Sequence, residues 1–366
     1  MLLPPPVPED SASINGVCWI KPQTLRIGPC ILPAFPPPDS QCKTSSTNKN
    51  CAPRRCCRWK SVSAPTRMLG TEYSGMEQQE LKILVVKRDK IGDMLLTTGV
   101  LGWLRGALPD AEIHVLANDY NSWVLAGNTD VDCLWSVPRV RARGGFAAAD
   151  LWRTFWMLHR LRRLQFDWVL VGNGEESPRA IKRGLSVRGK RTVAYCATPA
   201  QWPGLTHALP PPNDLHETQR LAHLAIPMGL KPPEQLPYPR YFLPASGAAF
   251  AASWLAGHGL TAYGYMVLGL GARRAKKQPS TRQVLDWSAH VAQRWGLKTV
   301  FIWTPGKGDD PNYPGDDETA EPVLAAASAD VIPFRGPLHE AIALIWQARA
   351  SLFPDSGLMH FAAASP

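Results

Sequence analysis

The stretch from Lys82 to Ala117 fixes the class of fold. Lys82-Ile83-Leu84-Val85-Val86-Lys87 is a short apolar, β-branched run, and Ala111-Glu112-Ile113-His114-Val115-Leu116-Ala117 is another. Between them an amphipathic stretch from about Met94 to Leu108 is stopped by Pro109-Asp110, so the pattern reads strand, helix, strand. Two strands joined through a helix need a crossover, which makes their sheet parallel. Ligands of open parallel sheets bind beyond the carboxyl ends of the strands. That place is taken here by Lys87-Arg88-Asp89-Lys90-Ile91-Gly92-Asp93. A similar junction occurs near the other end of the chain, where the apolar run Ala350–Phe353 gives way to Asp355-Ser356-Gly357-Leu358-Met359-His360. One junction in each half predicts a substrate held in a cleft between two lobes.

The βα rhythm continues with strands expected at Asp132–Val137, Phe166–Val171 and Thr192–Cys196 and a helix at Ala147–Leu164. Asp214-Leu215-His216-Glu217 reads as a capping box opening a helix to about Met228. The prolines that follow, Pro232, Pro233, Pro237, Pro239 and Pro244, mark a linker. The second lobe restarts with a helix at Ala248–Gly257 and a strand at Gly264–Leu268. Next come a loop at Gly269–Ser280, a helix at Thr281–Trp295, a strand at Lys298–Trp303 and a polar loop at Thr304–Asp317. A strand at Ala329–Phe334, a helix at Leu338–Ala348 and a strand at Ala350–Phe353 precede the last phrase. The expected class is α/β, with two Rossmann-like, doubly wound parallel-sheet domains. Residues 76–230 form the first, 231–245 the linker and 246–366 the second. The helix opened at Ser356 reaches only Ala364-Ser365-Pro366, so the second sheet is expected to be incomplete.

Residues 1–75 hold six of the eight cysteines, and no histidine occurs before His114. Cys51 and Cys56-Cys57 lack a second metal-spaced pair, and the start lacks the basic end and apolar core of a signal peptide. This Pro/Cys/Ser-rich segment reads as a disordered extension, or as sequence upstream of a true start at Met68 or Met76. Cys133 and Cys196 read as reduced thiols of a cytosolic protein. The formal charge is +10, of which residues 1–75 contribute nine Lys and Arg against four acids. The remaining 31 basic and 26 acidic residues leave +5, suited to an anionic substrate or membrane surface and short of a nucleic-acid-binding signature. No apolar run reaches the ~18 residues of a membrane span.

The first turn lacks the glycine fingerprint of dinucleotide binding and a Walker-type phosphate loop. It offers Asp89 and Asp93 instead, with Gly92 for a tight turn. Asp93 can serve only as a helix cap, worth about 1 kcal/mol, or can take a proton from an incoming hydroxyl. In the second lobe, Gly269-Leu270-Gly271-Ala272-Arg273-Arg274-Ala275-Lys276-Lys277-Gln278-Pro279 joins flexible backbone to four cations. That loop is either solvated or a phosphate seat. Asp355-Ser356-Gly357 places backbone N–H groups at a helix N-terminus, where a pyrophosphate is favoured. His360 lies about one turn further in and is either structural or catalytic.

Other features favour structural readings. Asp130-Val131-Asp132 resembles a metal-binding Asp-x-Asp but precedes its strand, and the acids around Asp309-Asp310 and Asp316-Asp317 read as solvated. Leu151, Trp152, Phe155, Trp156, Leu158, Leu161 and Leu164 recur at helical spacing and read as a core face. Arg153, Arg160, Arg162 and Arg163, with Arg139, Arg141 and Arg143, form a basic side that is either a wet surface or a contact for acidic lipid headgroups.

Together these phrases resemble the bacterial heptosyltransferases of lipopolysaccharide core synthesis, glycosyltransferase family 9. The matching residues run from Lys82 to the end. They are Lys82–Lys87 with Asp89–Asp93 and Thr97-Thr98; His216-Glu217 with Arg220; Gly271-Ala272 with Lys276 and Pro279; and Asp355-Ser356-Gly357 with His360, Ala362-Ala363-Ala364 and Pro366. Gln278 stands where many relatives have tryptophan, and the family continues past the final proline.

The resemblance implies a GT-B fold and inverting, metal-independent transfer from a nucleotide sugar, ADP-L-glycero-D-manno-heptose in most members. It implies Asp93 as general base and Lys87, Asp89 and Gly92 on the acceptor side. Gly271, Ala272, Lys276, Asp355, Ser356, Gly357 and His360 are implied to bind the donor. No cofactor beyond the nucleotide sugar is expected, and the expected acceptor is the lipid-linked lipopolysaccharide core at the cytoplasmic face of the inner membrane. The alternatives are a non-catalytic nucleotide-sugar-binding remnant and a GT-B sugar-nucleotide epimerase.

Overall fold

The computed structural model describes residues 17–19, 81–137, 148–173, 176–271, 278–308 and 315–366. They fall in one compact unit, Met1–Gln23 with Glu80–Pro366. Apart from Val17–Trp19, which forms strand β1, the extension 1–75 lies outside the described residues.

The first sheet is built from β2 (Lys82–Val86), β3 (Glu112–Asn118), β4 (Cys133–Val137), β5 (Trp168–Val171), β6 (Arg191–Tyr195) and β7 (His207–Leu209). Its order is β4-β3-β2-β5-β6-β7, with every neighbouring pair parallel. Successive side chains of a strand point to opposite faces, and β2 shows the consequence. Ile83 and Val85 face helix α1 (Ile91–Ala107), in a core with Met94, Leu101 and Val115. Leu84 and Val86 face the other side, in a core with Leu161 of α2 (Ala148–Arg163) and Val187 of α3 (Pro178–Val187). A sheet covered on both faces explains the unbroken apolar run. The strand order reverses between β2 and β5, so the ligand-binding crevice of this lobe opens where those two strands end.

Helix α4 (Glu217–His223) closes the first lobe, and α5 (Ala245–Gly257) opens the second. The second sheet contains β8 (Tyr265–Gly269), β9 (Lys298–Ile302), β10 (Val331–Phe334) and β11 (Ala350–Pro354) in the order β1-β11-β8-β9-β10. Strands β8 to β11 pair in parallel, and β1 lies antiparallel on the outer side of β11, Val17 opposite Pro354. Helices α6 (Thr281–Trp295), α7 (Asp317–Ala326), α8 (Leu338–Trp346) and α9 (Gly357–Ala364) complete the lobe. Its order reverses between β8 and β11, the strands that precede Gly271 and Asp355.

The lobes share one core. Phe361 of α9 stacks on Trp123 at 5.7 Å between ring centroids and meets Tyr241 edge-on at 5.1 Å. Tyr241 belongs to the segment joining the lobes and also meets Trp346 at 5.4 Å. That segment is fastened along α1. The Arg240 N–H donates to Thr98 Oγ1 at 2.8 Å, the Arg240 guanidinium pairs with Asp130, and the Pro237 carbonyl leaves no room for a side chain at Gly99.

Several elements depart from the sequence expectation. Helix α1 starts at Ile91, three residues early, because Lys90 caps it and Asp93 supports the cap. Helix α3 was hidden by Pro178 and Gly184. Helix α7 was hidden in the acidic stretch, and β7 is only three residues long. The N-cap of α4 is His216, not Asp214, and the helix yields to a 3-10 turn at Ile226–Met228. Asp316 and Asp317 are not simply solvated. Asp316 is buried and accepts from the Thr304 N–H at 3.1 Å, while Asp317 accepts from Trp303 Nε1 at 2.8 Å and the Gly306 N–H at 2.9 Å. Burial pushes the Asp316 carboxyl up, against the pull of its hydrogen bonds to Thr304 and Gln278. Asp309 and Asp310 lie outside the described residues.

The face of α2 is the largest correction. Leu161 is fully buried and Met157, Leu158 and Leu164 pack against the same core, but Leu151, Trp152, Phe155 and Trp156 are between 46% and 61% exposed.

Candidate active site

The first turn is anchored by a buried cation. Lys87 is 0% exposed, and its Nζ lies 2.8 Å from the Gly172 carbonyl, from Glu217 Oε1 and from Asp89 Oδ2. Burial opposes its charge, yet Asp89 and Glu217 together outweigh that cost, so its pKa is raised above the ordinary lysine value. With its three donors engaged by protein, Lys87 positions the turn. It ties β2 to the end of β5 and to α4.

Asp89 also accepts a hydrogen bond from Asn173 Nδ2, and its carbonyl accepts from Asn121 Nδ2 at 2.8 Å. Arg88 Nε donates to Asn118 Oδ1 at 3.1 Å, and Asn118 Nδ2 returns a bond to the Arg88 carbonyl at 2.8 Å. The loop between β2 and α1 is therefore held from β3, β5 and α4.

Asp93, the third residue of α1, is half-buried, and its carboxylate accepts from the Lys90 N–H at 3.2 Å. The capping role expected as one reading of Asp93 is thus real, but it does not exhaust the residue's surroundings. His360 of α9 lies over Gly92, where a Cβ would overlap its imidazole, and Gly357 lies against Ile91. Burial lowers the His360 pKa; Asp93 and Asp355 pull it up and His216 pushes it down, leaving it below the ordinary histidine value. The ends of β2, β11 and the entry to α4 thus bring Asp93, His216, Asp355 and His360 into one neighbourhood. His216 Nδ1 accepts from the Thr218 N–H at 3.3 Å.

On the second lobe, Gly271 follows β8 with no described residue within 4 Å of where a Cβ would stand, whereas Gly269 is crowded by Phe353. Ser356 precedes α9, and its buried Oγ has no hydrogen-bond partner among the described residues; nor does it cap the helix. Asn173 Oδ1, at the end of β5, is a second buried oxygen in the same condition. One such atom stands at the switch point of each sheet. Both are chemically suited to a polar ligand, since buried polar atoms are otherwise satisfied. Ala272 and Lys276 lie outside the described residues.

The structure also sorts the remaining candidates. Asp130 pairs with Arg240 and Asp132 with Arg105, which gives both carboxylates structural work. Thr98 fastens the linker, and Thr97 Oγ1 donates to the Asp93 carbonyl at 2.8 Å. Two residues of the unexpected helix α3 had been missed. Arg179 and Arg183 lie near Arg88, and burial followed by mutual repulsion lowers the pKa of both Arg88 and Arg183. The signal was present as an i, i+4 arginine pair following Pro178.

Comparison with known proteins agrees with this architecture. The family model "Glycosyltransferase family 9 (heptosyltransferase)" matches residues 154–365, more than half of the chain. The glycosyl transferase family 9 structure from Veillonella parvula DSM 2008 is 20% identical with a TM-score of 0.62, covering 80% of this chain and 82% of that one. E. coli heptosyltransferase WaaC with ADP-2-deoxy-2-fluoro heptose is 19% identical with a TM-score of 0.56, covering 78% and 86%. E. coli ADP-heptose lps heptosyltransferase II is 18% identical with a TM-score of 0.55, covering 78% and 82%. No curated protein sequence matches the chain. The likeness to these structures extends over both lobes and makes the fold GT-B. With two doubly wound lobes meeting at their switch points and the family's pattern across most of α2 to α9, the chain belongs to glycosyltransferase family 9, the heptosyltransferase family.

Proposed function

We propose that the protein transfers heptose, or a related sugar, from an ADP-sugar to a lipopolysaccharide-core acceptor, with inversion and without a metal ion. The observation that carries this reading is the placement of Asp93 beside His360, where the crevice ends of the two sheets meet. The Asp93 carboxylate takes the proton of the acceptor hydroxyl. The oxygen attacks the anomeric carbon, and the bond from that carbon to the diphosphate breaks with its electron pair leaving on ADP. A lowered pKa keeps His360 neutral near pH 7, so it gives Asp93 an uncharged neighbour rather than a cation.

The departing diphosphate needs stabilisation as its charge grows. The α9 N-terminus with Ser356 and Gly357 offers backbone donors, Gly271 leaves room for close approach, and Lys276 supplies charge. Asp355 and Ala272 complete the donor turn. One structural relative, E. coli heptosyltransferase WaaC, was solved with ADP and with ADP-2-deoxy-2-fluoro heptose, which supports this donor class. Arg88, Arg179 and Arg183 beside the first turn suit an acceptor carrying carboxylates or phosphates.

The test is transfer of labelled sugar from ADP-heptose to a purified heptose-deficient lipopolysaccharide core. Product formation by the parent and its loss in Asp93→Asn support the proposal. Equal turnover by both removes Asp93 from the chemistry.

A further inference from the structure

We propose that the outer face of α2 docks the protein on an anionic lipid bilayer. Its first half carries Leu151, Trp152, Phe155 and Trp156, all exposed. The three rings form one contiguous surface. Trp152 and Phe155 lie 6.2 Å apart, Trp152 and Trp156 5.5 Å, and Phe155 and Trp156 6.2 Å between centroids. Trp156 continues the patch to His159 at 5.7 Å. The second half exposes His159, Arg160 and Arg163, and Arg153 is exposed beside the rings. Asp150 is the one acid of the helix sequence, paired loosely with Arg153 at 4.0 Å.

Exposed tryptophan and phenylalanine are costly in water but suit the headgroup boundary of a membrane, where an apolar ring body and a polar N–H are both satisfied. Arginines on the same face meet anionic headgroups. Aromatic residues next to basic ones on one exposed helix face are what an interfacial helix requires. No helix among the described residues is long and apolar enough to cross a membrane.

The topology gives this patch a direction. The parallel crossover from β4 to β5 runs α2 against the strands. Its aromatic half therefore lies towards the sheet edge that carries Asp93, and its basic half towards the opposite edge. A bilayer at α2 would thus present lipid headgroups on the side where the first-lobe crevice opens. The surface stands on α2 alone and does not depend on the transfer reaction.

The full-length protein is sedimented with vesicles of phosphatidylcholine alone and with vesicles rich in phosphatidylglycerol. Binding to the phosphatidylglycerol vesicles that weakens with salt is expected. The triple variant Trp152→Ala, Phe155→Ala, Trp156→Ala should lose at least about tenfold in affinity, and Arg160→Ala with Arg163→Ala about tenfold, with a shallower salt dependence. Matching thermal melts show that the exposed substitutions leave the fold intact; if the aromatic variant does not fold, the arginine variant decides. Failure of the parent to bind, or equal binding by parent and variants, overturns the proposal. Sedimentation velocity showing a dimer that the triple variant dissociates also overturns it, by assigning the face to a second copy.

Discussion

The imidazole of His360 lies directly over Gly92, so α9 meets the first turn of α1 through this ring. A methyl group at Gly92 must displace the ring. Gly92→Ala is expected to destabilise the protein by about 1–3 kcal/mol and to reduce transfer. His360→Ala in the same chain should restore much of the stability. A double-mutant cycle on thermal unfolding measures the coupling, and additive effects would show that the two residues do not share this contact.

His360 also makes the fold sensitive to acid. Its folded pKa lies below the ordinary histidine value of 6.5, so the unfolded chain binds the proton more readily. The stability associated with a neutral His360 is complete above that value and is lost as pH falls through the folded pKa. His360→Asn should flatten the stability curve below pH 6.5 relative to the parent. Denaturant titrations across the acidic range check this, and parallel curves would refute it.

Lys87 predicts the opposite kind of sensitivity, through structure rather than titration near neutrality. Lys87→Met leaves Asp89 and Glu217 without their shared cation, at a cost of about 3–5 kcal/mol. Because its folded pKa is raised above 10.5, the lysine's contribution is complete below that value and fades as pH climbs through the folded pKa. The stability gap between parent and variant, followed by urea unfolding, should therefore hold at neutral pH and narrow only in strong alkali.

Ser356 separates stability from binding. Its Oγ has no partner to lose among the described residues, so Ser356→Ala should leave the unliganded melting temperature unchanged or slightly higher. ADP should bind the variant several-fold more weakly, by about 1 kcal/mol. Calorimetric titration with ADP, set beside the two melts, distinguishes this from a purely structural serine.

The sequence revealed the strands that carry the site because parallel strands buried on both faces read as unbroken apolar runs. The phrases that follow them, Lys87–Asp93 and Asp355–His360, were legible for the same reason. Lys87 was legible as a position but not as a role, since its partners Gly172 and Glu217 are distant in sequence. On α2, helical spacing read seven apolar residues as one core face, but they are spread around the helix and only Leu158, Leu161 and Leu164 of them meet the sheet. The narrow strip of Met157, Leu158, Leu161 and Leu164 suffices to cover the sheet there, and the larger aromatics face outward. Arg179 and Arg183 escaped because a proline and a glycine disguised their helix.

Tyr241 gives the joint between the lobes a mechanical character. A connecting peptide that only tethered two bodies would let them swing at little cost. This one inserts a ring among Trp123, Trp346 and Phe361, so parting the lobes at that point must wet aromatic surface, at on the order of 1.5–3 kcal/mol for each ring exposed. Any rotation of the two lobes about this joint therefore has to break a greasy latch first.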